Sequence, residues 1–224
     1  MAFQNVHDLG IYINSDLSMR THVQRTTSSC FAAFRQLRQI RRLVLTSTFQ
    51  TLTVALVNQR LDYGNSTLVG ILAYLMRRLQ SALNAAAWLI FHLRRSDHVT
   101  DAFVSLHWLR VPERIQFKIA VLTYRVLHGD APRYLGPFTS TADVPGRRAL
   151  RSAGTNQLVV PPVRLFTFGS RAFPVAAAQI WNCLLEHIVS APTLQSFRRH
   201  LKTFFYNILS AYSTLVDLIV ASVT

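Results

Sequence analysis

Catalysis and metal binding need groups that converge: paired carboxylates, a nucleophile beside a base, or ligands at fixed steps. This chain has few of them. Its 224 residues include eight Asp and two Glu. On a helical stretch, only Asp97 and Asp101 stand within a turn of one another. They flank a helix start, where an acid meets the positive end of the helix dipole in any case. Cys183 and His187 are four apart, but a single Cys-x3-His pair is a weak zinc or nucleophile signal and reads first as a buried cysteine beside a surface histidine. His107-Trp108 reads as the edge of a core. There is no phosphate-cradling GxxxxGK[ST] run, no dinucleotide GxGxxG fingerprint and no GxSxG elbow. The residues therefore assign no catalytic group, no metal ligand and no cofactor.

Cationic side chains are the stronger chemical signal. Lys+Arg number 24 against 10 acids, a formal charge of +14 with pI ≈ 11.1. Apart from Lys118 and Lys202 all of them are Arg, whose planar, weakly hydrated fork matches phosphate. Doublets recur at Arg41-Arg42, Arg77-Arg78, Arg94-Arg95, Arg147-Arg148 and Arg198-Arg199. Between Asp16 and Asp62 seven arginines occur and no acid. The residues expected to touch phosphate are Arg35, Arg38, Arg41, Arg42, Arg77, Arg78, Arg94, Arg95, Arg198, Arg199 and Lys202. Uncompensated charge on this scale repels itself unless a polyanion relieves it. The partner it implies is nucleic acid, held through its backbone. Charge alone does not choose between RNA, DNA and an anionic membrane, and it carries no sequence specificity.

The elements that must position these groups are mostly helices. Hydrophobic residues make up 50% of the chain and charged ones 15%, which excludes a disordered basic tail. A chain of this length buries roughly 70% of its unfolded surface without staples, and two cysteines make no disulfide scaffold. Val6, Leu9, Ile11 and Ile13 alternate around Gly10 as a short hairpin. Ser18 is the expected cap of a helix to about Leu43, with Val23, Cys30, Phe31, Phe34, Leu37 and Ile40 on its buried face. A second helix opens at Thr46 or Ser47 and ends near Arg60, before an Asp62-Tyr-Gly-Asn65 turn. The third, Leu72 to Leu93, keeps the i, i+3, i+4, i+7 pattern throughout. Helices follow at Thr100–Leu106, at Glu113–Leu127 behind Pro112, at Pro174–Trp181 and from Pro192 onward. Leu158–Val160 and Val163–Phe168 read as short strands. The proline- and glycine-rich loop 129–157 is the expected internal boundary. The fold class is mainly α, with an N-terminal β-hairpin, a small β element near 158–168 and C-terminal helices.

Several stretches in the same order resemble the C-terminal region of non-LTR (LINE-type) retrotransposon reverse transcriptases. They are Leu9-Gly-Ile-Tyr-Ile-Asn-Ser-Asp-Leu17 before His22-Val23, Arg60-Leu-Asp-Tyr-Gly-Asn65 (family RLDYCN), Leu79–Leu89 with Arg94-Arg-Ser-Asp-His-Val-Thr100, and Ser105-Leu-His-Trp-Leu109. Further along come Leu127-His-Gly-Asp-Ala-Pro-Arg-Tyr-Leu135, Leu165–Trp181, and Ala191-Pro-Thr-Leu with Phe197–Thr203. The resemblance covers about residues 6–205. It implies a palm and primer-supporting hairpin remnant at 1–17, a helical thumb at 18–95, an element-specific extension at 96–205 and an unrelated tail at 206–224. It also implies a thumb that closes on the template–primer backbone for a palm which is its lost intramolecular partner. The family's catalytic YxDD turn has no counterpart here, so the chain is expected to be a fragment of an RNA-directed DNA polymerase that does not polymerise by itself.

Gly64, Trp88, Arg110 and Leu185 stand where the family has Cys, Arg, Pro and Pro, and Gln179 where it often has Lys. These departures leave open a decayed element copy with no present activity. A membrane- or mitochondrion-associated basic protein is the other alternative, suggested by the acid-free stretch 17–61 and the apolar tail. Asn207 and Asp217 dilute that tail, and no signal peptide is visible near Asn5 and Asp8. The expected location is intracellular, nucleus or cytoplasm, without secretion and without a membrane partner.

Overall fold

The computed structural model describes residues 5–94, 97–144 and 156–223, with side chains described as far as Ile208 except at Phe166 and Thr167. It is mainly helical, with a short antiparallel hairpin at the N-terminus. Two compact units divide the chain: Met1–Arg114 with Ile208–Thr224, and Ile115–Asn207.

The first unit opens with β1 (Asn5–Asp8) and β2 (Ile11–Asn14), in the register Val6 opposite Ile13 and His7 opposite Tyr12. The turn residues Leu9 and Gly10 both have positive φ, 43° and 80°, the twist that a two-residue hairpin favours. Helix α1 (Arg20–Ile40) buries His22, Val23, Thr27, Cys30, Ala33, Phe34 and Leu37. Phe31, expected on that face, is 42% exposed. Ser18 is not the cap: Met19 holds the N-cap position at φ 59°. The N–H of Thr21 instead donates to Asn14 Oδ1 at 3.1 Å, and Asn14 Nδ2 donates to Thr21 Oγ1 at 2.8 Å. A strand residue thus satisfies the orphan donor of the helix start.

Helix α2 (Thr46–Thr53) continues into a π-helical turn, Val54–Asn58, and then α3 (Gln59–Asp62). A 3-10 turn, Asn65–Leu68, leads to α4 (Ala73–Phe91). The apolar face of α4 is Leu75, Leu79, Ala82, Leu83, Ala86, Ala87 and Ile90, all buried, and it packs on α1. Helices α5 (Thr100–Leu106) and α6 (Val111–Leu127) follow where their periodicity places them.

The second unit takes α6 from Ile115 onward. Tyr124 is its centre: the ring stacks on Phe197 at 4.5 Å and its hydroxyl donates to the Ala191 carbonyl at 2.9 Å. The remaining helices are α7 (Phe166–Gly169), α8 (Phe173–Asn182), α9 (Glu186–Val189) and α10 (Leu194–Val223). Pro192 does not open α10. Thr193 and Ser196 do, each side-chain oxygen accepting from the other's backbone N–H at 3.2 Å, a reciprocal cap.

Among the described residues, the β element expected near 158–168 narrows to one bridge, Ser140 to Leu158. The reason is the partner that Leu158 finds. The side-chain amide of Asn182 takes the Leu158 N–H at 2.8 Å and donates to its carbonyl at 2.9 Å, filling the place of a second strand. Residues 166–169 turn as helix instead. The division between units falls inside α6 and not in loop 129–157, of which 145–155 lie outside the described residues. The first turn of α6 is tied to the first unit, since Val111 N–H donates to Gln80 Oε1 and Arg114 pairs with Asp62. From Ile115 its apolar residues serve the second core.

Candidate nucleic-acid interface

The stretch Arg60–Asn65 holds the first unit together. Arg60 Nη1 donates to the Ser29 carbonyl at 3.3 Å, and Leu61 and Asn65 are buried. Asp62 accepts both of its contacts from Arg114 Nη1, at 2.9 and 2.7 Å. The hydroxyl of Tyr63 donates to the Leu9 carbonyl in the hairpin turn. Gly64 has φ +64°, and a Cβ there would lie 2.7 Å from Ile11 Cδ1. The hairpin, α1 and α6 are therefore gathered on one short turn.

This scaffold sorts the arginines. Arg35 and Arg38 step by three on α1, so they share one face, and Arg42 follows in the turn just beyond the end of the helix; all three are exposed. Arg77 and Arg78 are exposed in the second turn of α4, and Arg94 is exposed just beyond its C-terminal end. Among the described residues the ion pairs are Arg110–Glu113 and Arg114–Asp62, so none of these six guanidinium groups is in an ion pair with a described carboxylate, although Asp97 Oδ2 accepts from the Arg94 backbone N–H at 2.7 Å. Arg41 differs. It is half-buried, its Nη2 donates to the Ile90 carbonyl at 3.1 Å, and its guanidinium lies 4.6 Å from the Phe49 ring centre. These contacts hold Arg41 against the end of α4. Arg95, Arg147 and Arg148 lie outside the described residues. Arg198, Arg199 and Lys202 are exposed on α10 in the second unit, a basic set separate from that of α1 and α4.

A helix C-terminus attracts cations, which accounts for part of the charge around Arg38 and Arg94. It does not account for Arg77 and Arg78, which sit toward the opposite end of α4. From Arg77 to Phe91 the helix rises about 20 Å at 1.5 Å per residue, roughly the length of six base pairs at 3.4 Å each.

Aromatic residues missed by the charge pattern lie between those clusters. Phe31, Arg38, Ser81, Ala85, Trp88 and His92 line a groove of about 560 Å³ between α1 and α4. The Trp88 Nε1–H is shielded from solvent and has no acceptor among the described residues. The step pattern 31, 35, 38, 42 was available in the sequence, and it places Phe31 with the arginines and away from the core.

Among the described residues nothing nucleophilic or metal-binding assembles. The Cys30 thiol is buried, and burial pushes its pKa up to about 11, outweighing the opposite pull of Arg60. Cys183 is exposed at the end of α8, and the His187 ring sits 6.1 Å from that of His200. Among the described residues no three His, Cys, Asp or Glu side chains converge as a metal site. Trp108 is buried against Phe103, while His107 faces out. No helix among the described residues is long and apolar enough to cross a membrane. Comparison with family models, with curated proteins and with solved structures gives no match to this chain.

Proposed function

We propose that the chain is a nucleic-acid-binding helical protein that grips phosphates through Arg35, Arg38, Arg42, Arg77, Arg78 and Arg94 and performs no catalysis by itself. The observation that carries this reading is an exposed set of arginines on and just beyond two packed helices, with none of their guanidinium groups in an ion pair with a described carboxylate. Uncompensated positive charge of this kind is screened by simple ions only at high salt; a polyanion balances it in one step. The set spans about 20 Å of α4, so several phosphates are reached together. The lineage that goes with it is the thumb and C-terminal extension of a LINE-type reverse transcriptase, without the YxDD palm. Such a role is exercised inside the cell, in nucleus or cytoplasm.

One observation favours a second reading, a decayed copy without present activity. Val6, Leu9, Leu17, Leu43 and Leu45 are 57%, 81%, 47%, 81% and 76% exposed, as befits apolar groups that have lost a covering partner. A salt series separates the two. For the binding protein, log affinity falls steeply and linearly with log salt, and replacing Arg35, Arg38 and Arg42 together by Gln lowers the slope by about three units. An unchanged slope rejects that surface, and a monodisperse sample with no saturable binding supports the decayed copy.

A further inference from the structure

We infer that the groove between α1 and α4 is a seat for one unpaired nucleotide, its base held against Phe31 and Trp88 and its phosphate on Arg38. The inference rests on the nucleic-acid reading above and adds base contact to backbone contact. The groove measures about 560 Å³, within the range of small-molecule sites and ample for a single nucleotide. Ser81 and Ala85, two small side chains, line it beside the larger rings. Phe31 is an aromatic ring left 42% exposed on a helix that buries Val23, Phe34 and Leu37, and Trp88 is half-buried beside it. Every nucleobase has a π-face that stacks on such rings irrespective of sequence.

Charge complementarity selects this occupant over an apolar peptide. Arg38 lines the groove itself, Arg35 precedes it on the same face of α1, and the stretch from Leu17 to Leu61 contains no acid. His92 adds a ring nitrogen that can donate to or accept from a base edge. A base inside a duplex cannot present its face to these rings, so the seat is for single-stranded nucleic acid or an extruded nucleotide.

Intrinsic tryptophan fluorescence tests this on the full chain. Trp108 and Trp181 are 6% and 3% exposed, so quenching by a stacked base reports Trp88. The probes are a short oligoadenylate, in ribose and deoxyribose forms, and an abasic strand of the same length and charge. The expected result is saturable quenching, with the base-bearing strand bound about tenfold more tightly than the abasic one. Trp88→Leu should abolish the quenching and lower affinity to the abasic level while leaving the salt slope unchanged, and Trp88→Phe should restore affinity. Should Trp88→Leu fail to fold, Phe31→Leu at the more exposed ring reads the same loss. Equal affinity for base-bearing and abasic strands overturns the nucleotide seat and leaves backbone binding standing. Self-association of the protein that Trp88→Leu abolishes puts a second copy in the groove and also overturns it. Failure of both strands to bind overturns this inference together with the reading on which it rests.

Discussion

Arg41 donates to the Ile90 carbonyl and lies over the Phe49 ring, whereas Arg42 one residue later is exposed. The two carry the same charge and face opposite tasks. Arg41→Gln removes a partner from the end of α4 and a cation–π contact, and should cost about 1–2 kcal/mol of stability. Arg42→Gln should stay within about 0.5 kcal/mol, as surface substitutions do. In binding the order reverses: Arg42→Gln lowers the salt slope by about one unit and Arg41→Gln does not. Denaturant midpoints and a salt series on the two variants separate the roles, and an Arg41→Gln protein as stable as the parent would contradict the capping assignment. The doublet was legible in the sequence, but its division of labour was not, because the carbonyl that claims Arg41 lies 49 residues away.

At the scale of elements, the hairpin is fastened to the helices by Asn14, which bonds Thr21 of α1, and by the Arg60–Asn65 turn. Gly64 is the tightest point, with φ +64° and Ile11 Cδ1 2.7 Å from a built Cβ. Gly64→Ala should cost about 1–2 kcal/mol from the left-handed backbone, plus a part due to Ile11. Adding Ile11→Val should recover that second part and not the first, which urea denaturation of the single and double variants measures; full recovery would mean the backbone is unstrained. His22, buried at the start of α1, gives the first unit a pH dependence. Burial lowers its pKa from 6.5, so the folded state binds fewer protons than the unfolded one. Its stabilising neutral state is intact above pH 6.5 and is lost as pH falls below that value toward the depressed folded pKa. Stability measured between pH 7.5 and 5 should decline, and His22→Met should flatten the decline. Helix positions were readable from their 3.6-residue period, but the caps that start α1 and the strand-like pairing of Leu158 were not, since each uses a side chain from another element.

For the whole molecule, the excess of 14 positive charges works against the folded state when salt is low. Raising ionic strength screens that repulsion, so the melting temperature of the free protein should rise between about 50 and 500 mM salt. In the presence of a saturating nucleic acid the dependence should invert, because salt competes with the ligand that stabilises the fold. Scanning calorimetry with and without oligonucleotide distinguishes the two curves. A melting temperature indifferent to nucleic acid at low salt would argue against a polyanion partner.

The amino-acid sequence alone determined the mainly helical class, the N-terminal hairpin, the apolar faces of α4 and α6 and the arginine-rich, acid-poor character of the first 61 residues. Period and charge are local properties, written in residues a few positions apart. Tertiary structure alone decided which arginines serve the fold, which residue caps α1, what takes the place of a second strand beside Leu158, and where Phe31 and Trp88 form a groove. Those outcomes depend on atoms brought together from distant parts of the chain, and no local pattern records which of several chemically equivalent side chains will meet them.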